Sequence, residues 1–285
     1  MNNITDFSRR FTLENLEIRG QVVRLSDAWR GLIAGRNYPS HVVSYLGEMA
    51  CVSVLVGAGL KHQGRATLQI QGGAIAKLAV VDCTDALGIR GMASFETTSC
   101  PATFAEWVSG GRVALTVAHA ETGQMYQSIV PVSGLTVAEC FEPYFDQSEQ
   151  LPTHLWLAAN EQGAGALLLQ KLPKADAKDP DGWARVEQLA ASVRADELIT
   201  LDAEVLLQRL FHEEDVRLYE PKLVFSDCRR DEEKVKNMLR SLGRHELDAT
   251  LAELGEIIVK DDMCNEEYRF DRAAVAALFD EDNLP

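Results

Sequence analysis

Two of the six cysteines stand in dense runs of charge, in a stretch that reads S-D-C-R-R-D-E-E-K … G-E-I-I-V-K-D-D-M-C-N-E-E-Y-R-F over 226–270. Cys228 opens a C-x-R step and Cys264 closes a D-x-x-C step. The thiolate is the reactive and metal-ligating form of cysteine, so thiols in charged surroundings point to redox or metal chemistry. A zinc module of the pattern C-x-C … C-x-x-C would carry cysteine where this chain has Arg230 and Asp261. The stretch therefore has the form of a four-ligand metal knuckle with two ligands replaced. Arg229 and Arg230 favour the thiolate of Cys228, and the neighbouring acids oppose it.

Other chemistry-bearing residues form no comparable pattern. Cys51, Cys83, Cys100 and Cys140 sit in apolar surroundings without metal spacing and read as buried, inert thiols. His212-Glu213-Glu214 lacks a second histidine four residues after the first, so H-E-x-x-H fails and a capping or ion-pair role is expected for His212. Neither a Walker loop nor a G-x-S-x-G elbow is present, so the sequence suggests neither ATP use nor an enzyme.

The elements that must position the cysteines follow from periodicity. Residues 19–25 read as a strand, and Ser26 is placed to cap the helix after it. A helix from Ser40 to about Leu60 is apolar almost all round in its second half, the pattern of a core helix. From Arg65 the period changes to two, with strands expected at 66–71, 76–82, 89–95, 113–118 and 126–132. A helix near 137–150 and strands at 155–159 and 166–170 complete an α+β unit of mostly antiparallel strands, residues 1–173. Residues 174–224 read as a helical linker. Trp183, Val186, Leu189 and Val193 mark one amphipathic segment, and Val205, Leu206, Leu210 and Phe211 a second. The last part, 225–285, reads as a small α+β module with helices near 232–242 and 246–254, a hairpin over 256–270 turning at 261–265, and a short final helix. Its expected core is Met238, Leu239, Leu242, Leu247, Leu251, Ile257, Tyr268, Phe270 and Leu278.

Charge is divided unevenly. Residues 1–173 carry 15 acids and 12 bases, a net of −3; residues 174–285 carry 28 acids and 16 bases, a net of −12. Phosphate neutralisation needs clustered Lys and Arg, so a nucleic-acid partner is not expected. The longest charge-free apolar run, 49–60, is short of the ~20 residues of a membrane span, and no signal peptide is recognisable at M-N-N-I-T-D-F. The expectation is a cytoplasmic protein without a membrane partner, whose cysteines are by default reduced.

Several runs coincide with one family. R-G-Q-V-V-R-L, M-Y-Q-S-I-V at 125–130, Y-F-D-Q-S-E-Q-L-P-T at 144–153, E-L-I-T-L at 197–201, R-L-F-H-E-E-D-V-R-L-Y-E-P at 209–221 and L-A-E-L-G-E-I at 251–257 resemble the redox-regulated chaperones of the heat-shock protein 33 family. The resemblance runs in order along nearly the whole chain. It implies an ATP-independent stress-response holdase that binds unfolded or oxidatively damaged client proteins. It also implies a zinc domain held by four cysteines, whose oxidation releases the metal, unfolds the linker and exposes apolar surface, with homodimerisation of the active form as a further option. On that pattern Cys228 is the first ligand and Cys264 the fourth, while Arg230 and Asp261 occupy the second and third positions. Arg230 stays protonated and cannot ligate zinc. No cofactor is therefore expected, with a weak zinc site at Cys228, Asp261 and Cys264 the less favoured option.

If the family geometry persists, Cys228 and Cys264 lie close together, and a disulfide between them would close a loop of about 37 residues. Three readings stay open: a reversible disulfide that still gates the linker, a metal-independent cap without a switch, and the weak zinc site. The client-binding candidates are Trp183, Val186, Leu189, Val193, Leu206, Leu210 and Phe211, or the sheet face beneath them. The alternative from another class is a thiol-disulfide oxidoreductase using Cys228 and Cys264; the missing C-x-x-C counts against it, and insulin reduction would discriminate.

Overall fold

The computed structural model describes residues 5–96 and 100–280. It divides into two compact units, Met1–Asp227 and Cys228–Pro285. The segment expected as a linker, 174–224, packs within the first unit.

In chain order the first unit runs β1 (Phe7–Leu13), β2 (Ile18–Leu25), α1 (Asp27–Ile33), α2 (Ser40–Gly57), β3 (Gly64–Gln71), β4 (Ala76–Thr84), β5 (Gly88–Phe95), α3 (Phe104–Val108), β6 (Arg112–His119), β7 (Met125–Val130), α4 (Val137–Glu149), β8 (Thr153–Ala159), β9 (Ala164–Lys171), α5 (Ala175–Lys178), α6 (Gly182–Ala190), α7 (Ala195–Thr200), α8 (Ala203–Leu210), β10 (Val216–Leu218), β11 (Lys222–Leu223) and β12 (Phe225–Ser226). Two six-stranded sheets result. One has the order β10-β1-β2-β9-β8, with β11 also on β1; the other has the order β12-β5-β4-β3-β6-β7. Every pairing is antiparallel except the short β12–β5 pair. This is the α+β class expected from the change of period.

Helix α2 packs against strands of both sheets, which explains why it is apolar nearly all round. At 18 residues it is long and apolar enough to cross a membrane by length and composition, but 67% of it is buried inside the protein. The approach to the first sheet is close. A Cβ on Gly47 would stand 2.4 Å from the Ala159 Cβ, so only glycine fits there.

The first sheet is apolar on both faces, because successive side chains point to opposite sides. Val23, Leu25, Leu155, Ala166 and Leu168 share a cluster with α2. Phe11, Leu13, Ile18, Val22, Leu167 and Leu169 share a second cluster with α6, α7 and α8. Strand β1 shows no clean alternation in its sequence, F-S-R-R-F-T-L. Arg9 interrupts its inward row, and its guanidinium is satisfied by the Tyr219 carbonyl at 2.6 Å and Glu204 at 3.0 Å.

The expected Ser26 cap is replaced by a tertiary one. Ser26 makes no side-chain capping bond, and the buried Asp6 carboxylate accepts from the backbone N–H of Ser26 (2.7 Å), Asp27 (3.1 Å) and Ala28 (3.0 Å). At α4 the cap is local: the Thr136 hydroxyl accepts from the Glu139 N–H while the Glu139 carboxylate accepts from the Leu135 and Thr136 N–H groups.

The second unit comprises α9 (Glu232–Leu242), α10 (Arg244–Leu254), β13 (Ile257–Asp261), β14 (Glu266–Phe270) and α11 (Arg272–Asp280). Gly243, at φ 88°, breaks α9 from α10, and Asn265, at φ 53°, lies in the turn of the β13–β14 hairpin. Leu239, Leu247, Leu251, Ile257, Tyr268, Phe270, Val275 and Leu278 form its core. Met238 and Leu242 are instead 45% and 50% exposed, on the outer side of α9.

Candidate functional site

Cys228 and Cys264 form a disulfide, with Cα atoms 5.2 Å apart and a sequence separation of 36. Cys228 enters the unit just before α9, and Cys264 sits in the β13–β14 turn. Both are half-buried. Asp261 orders that turn: its Oδ1 accepts from the backbone N–H of Met263 (3.0 Å) and Cys264 (3.3 Å). Arg230 stacks its guanidinium 4.7 Å from the Tyr268 ring centroid, and it donates to Glu266 Oε2 and to the Glu267 carbonyl, each at 3.3 Å.

These residues do not fit a tetrahedral zinc ion. The two thiols are bonded to each other, Arg230 is cationic, and Asp261 already caps a turn. Of the other oxygen and nitrogen donors in this unit, Asp231 caps α9 through the Lys234 N–H (3.0 Å), and His245 is exposed on α10. Among the described residues no three His, Cys, Asp or Glu side chains gather in a way that could hold a metal ion.

Among the other cysteines, burial pushes the Cys83 thiol up to about 12. It also raises those of Cys51 and Cys140. Cys100 departs from the expectation of burial and is exposed. His212 is exposed, 3.8 Å from Glu213.

The apolar candidates all converge on the outer face of the first sheet. Val186, Leu206, Leu210 and Phe211 are fully buried there, and Trp183, Leu189 and Val193 pack at the margin. Val205, expected on the same face, is 51% exposed. Phe211 stands just past α8, with its ring 6.1 Å from Phe11 of β1. At the other end of the sheet His154 of β8 stacks on Trp183, 5.5 Å between centroids, with Nε2 3.2 Å from Glu187 of α6 and Nδ1 3.5 Å from Glu142 of α4. Helix α7, with six residues, is too short to show a helical period in the sequence. Its Leu198 and Ile199 also lie in the cluster, and its Glu197 pairs with Arg209 at 2.7 Å. Elsewhere, Met125, Tyr126 and Ile129 of the edge strand β7 are more than half exposed.

Comparison with known proteins gives one consistent answer. The sequence profile of the Hsp33 protein family matches residues 6–271. The 33 kDa chaperonin of Methylobacillus flagellatus is 41% identical over 278 residues, covering 97% of this chain and 95% of that protein. The 33 kDa chaperonin of Nitrosococcus oceani is 38% identical, covering 99% of this chain and 96% of that protein. The crystal structure of the Thermotoga maritima 33 kDa chaperonin, at 20% identity, superposes with a TM-score of 0.79 over 98% of this chain and 100% of that chain, a likeness of fold. On its profile match and its identity to these relatives, the chain belongs to the Hsp33 family of chaperones.

Proposed function

We propose that this protein is an ATP-independent cytoplasmic holdase, which binds unfolded or oxidatively damaged clients through the apolar sheet face that α6, α7 and α8 cover. The observation that carries the proposal is the nature of that cover. Phe11, Leu13, Ile18, Val22, Leu167 and Leu169 form a buried, continuous apolar face. What lies over it is three helices of 9, 6 and 8 residues. Isolated helices shorter than about 12–15 residues are marginal in water, so these exist by virtue of docking. Once undocked they lose their structure, and a large apolar surface becomes available to a client: a two-state element. The acidic character of residues 174–285 keeps such an opened form soluble by self-repulsion.

Redox control is simplified to the Cys228–Cys264 pair, and no metal takes part. Suppression of the aggregation of a chemically unfolded client, followed by light scattering without nucleotide and with a chelator present, tests the proposal. Suppression in the reduced or the oxidised form supports it. Absence of suppression in both forms, at a tenfold excess of the protein, overturns it.

A further inference from the structure

The second unit is tied at three points between its entering segment, 228–231, and the β13–β14 hairpin. The first is the Cys228–Cys264 bond. The second is Arg230, which stacks on Tyr268 and bonds to Glu266 and Glu267. The third is the Asp231 N–H, which donates to the Tyr268 hydroxyl at 3.1 Å. Tyr268 is only 3% exposed and belongs to the core of the unit, so the second and third ties anchor the segment to the most buried part of the hairpin. Neither needs a metal, and neither is broken by reduction.

We infer that oxidation staples the C-terminal unit rather than unfolding it, and that the Arg230–Tyr268 clamp holds the reduced unit in place without metal. The two residues that fill the second and third ligand positions have structural work of their own: Arg230 grips Tyr268, and Asp261 shapes the turn that presents Cys264. A metal in a four-cysteine site would join these same two segments, and its loss would release both. Here, loss of the disulfide leaves the clamp and an eight-residue core. In the oxidation step the two thiols give up two protons and two electrons. Hydrogen peroxide takes these up, its O–O bond breaks to give two waters, and the sulfur–sulfur bond forms. The disulfide then removes unfolded-state freedom over the 36-residue separation, so the sign of the effect on the unit is stabilising. This is the reverse of the sense that the family resemblance implies.

The inference does not depend on client binding, and its test needs none. Hydrogen exchange of the full chain is followed by mass spectrometry in chelator, before and after peroxide treatment, with metal content measured alongside. The expected result is a reduced, metal-free protein whose α10, β13 and β14 amides are protected, with protection rising about tenfold or more on oxidation. Lower protection after oxidation overturns the inference, as does an unprotected reduced unit or one tightly held zinc per reduced chain. Arg230→Ala lowers protection about two- to fivefold in the reduced form, while the oxidised form stays folded under its disulfide. Equal protection of the reduced wild type and the reduced variant removes Arg230 from the account.

Discussion

Phe211 and Phe11 meet across the boundary between the helical cover and the sheet, with ring centroids 6.1 Å apart and each 1% exposed. One ring belongs to the segment that must leave if the face is to open; the other belongs to the face. Phe211→Ala deletes a large buried side chain and should cost about 3–5 kcal/mol. The expected outcome is a lower midpoint of thermal unfolding together with greater binding of an apolar dye below that midpoint, since the cover loosens while the sheet beneath keeps its own second core. A lower midpoint with unchanged dye binding would show that the cover opens only with the whole unit.

Asp6 fixes the start of α1 from a distance, through three backbone N–H groups that have no local side chain to serve them. Asp6→Ala leaves those donors without their acceptor, the Ala28 N–H in a buried place and the other two in partly buried ones, and should destabilise the first unit by about 1–2 kcal/mol. Asp6→Asn keeps an acceptor oxygen and should lose less. Chemical denaturation of the two variants checks the order, and the Trp29 side chain next to the cap gives a local fluorescence signal.

Glu48 lies on α2, where burial pushes its carboxyl up to about 7 from the ordinary 4.5, partly offset by a hydrogen bond from the Ser44 hydroxyl. The unfolded chain ionises this group near 4.5, whereas the folded chain resists ionisation until about 7. Stability contributed by the neutral form is therefore complete below the unfolded value, falls as pH rises between the two, and stays low above the folded value. Glu48→Gln should flatten this slope and raise stability at pH 8 by about 1–3 kcal/mol. Unfolding midpoints across pH 4–8 for both proteins check the sign.

Thiol labelling should sort the free cysteines by environment. Burial holds Cys51, Cys83 and Cys140 in the protonated, inaccessible form, whereas Cys100 is exposed. In the native oxidised protein an alkylating reagent should modify Cys100 at least tenfold faster than these three. Comparable rates at Cys83 would show that the sheet opens readily around it.

Much of the fold is legible where a single element decides its own structure. The alternation of 257–270 and the capped heptad-like run of 232–242 specify a hairpin and a helix with no help from elsewhere. What escaped depends on partners distant in sequence. Strand β1 carries Arg9 in its inward row because Glu204 and the Tyr219 carbonyl are there to meet it. Ser26 looks like a cap, but Asp6 has displaced it. Met238 and Leu242 have helical spacing yet face outward, since α9 is covered on one side only. The candidate site divides the same way. Cys228 and Cys264 could be singled out from spacing. The roles of Arg230 and Asp261 could not, because Tyr268 and the turn amides come to them only through the fold.

Hydrogen exchange of the protein bound to an unfolded client, compared with the free protein under the same conditions, locates the client surface. If the covered sheet face is the client site, α6, α7 and α8 lose protection in the complex while β1, β2 and β9 keep it or gain it. Client held at full stoichiometry with α6–α8 as protected as in the free protein would contradict it, and would place the binding surface elsewhere on the molecule.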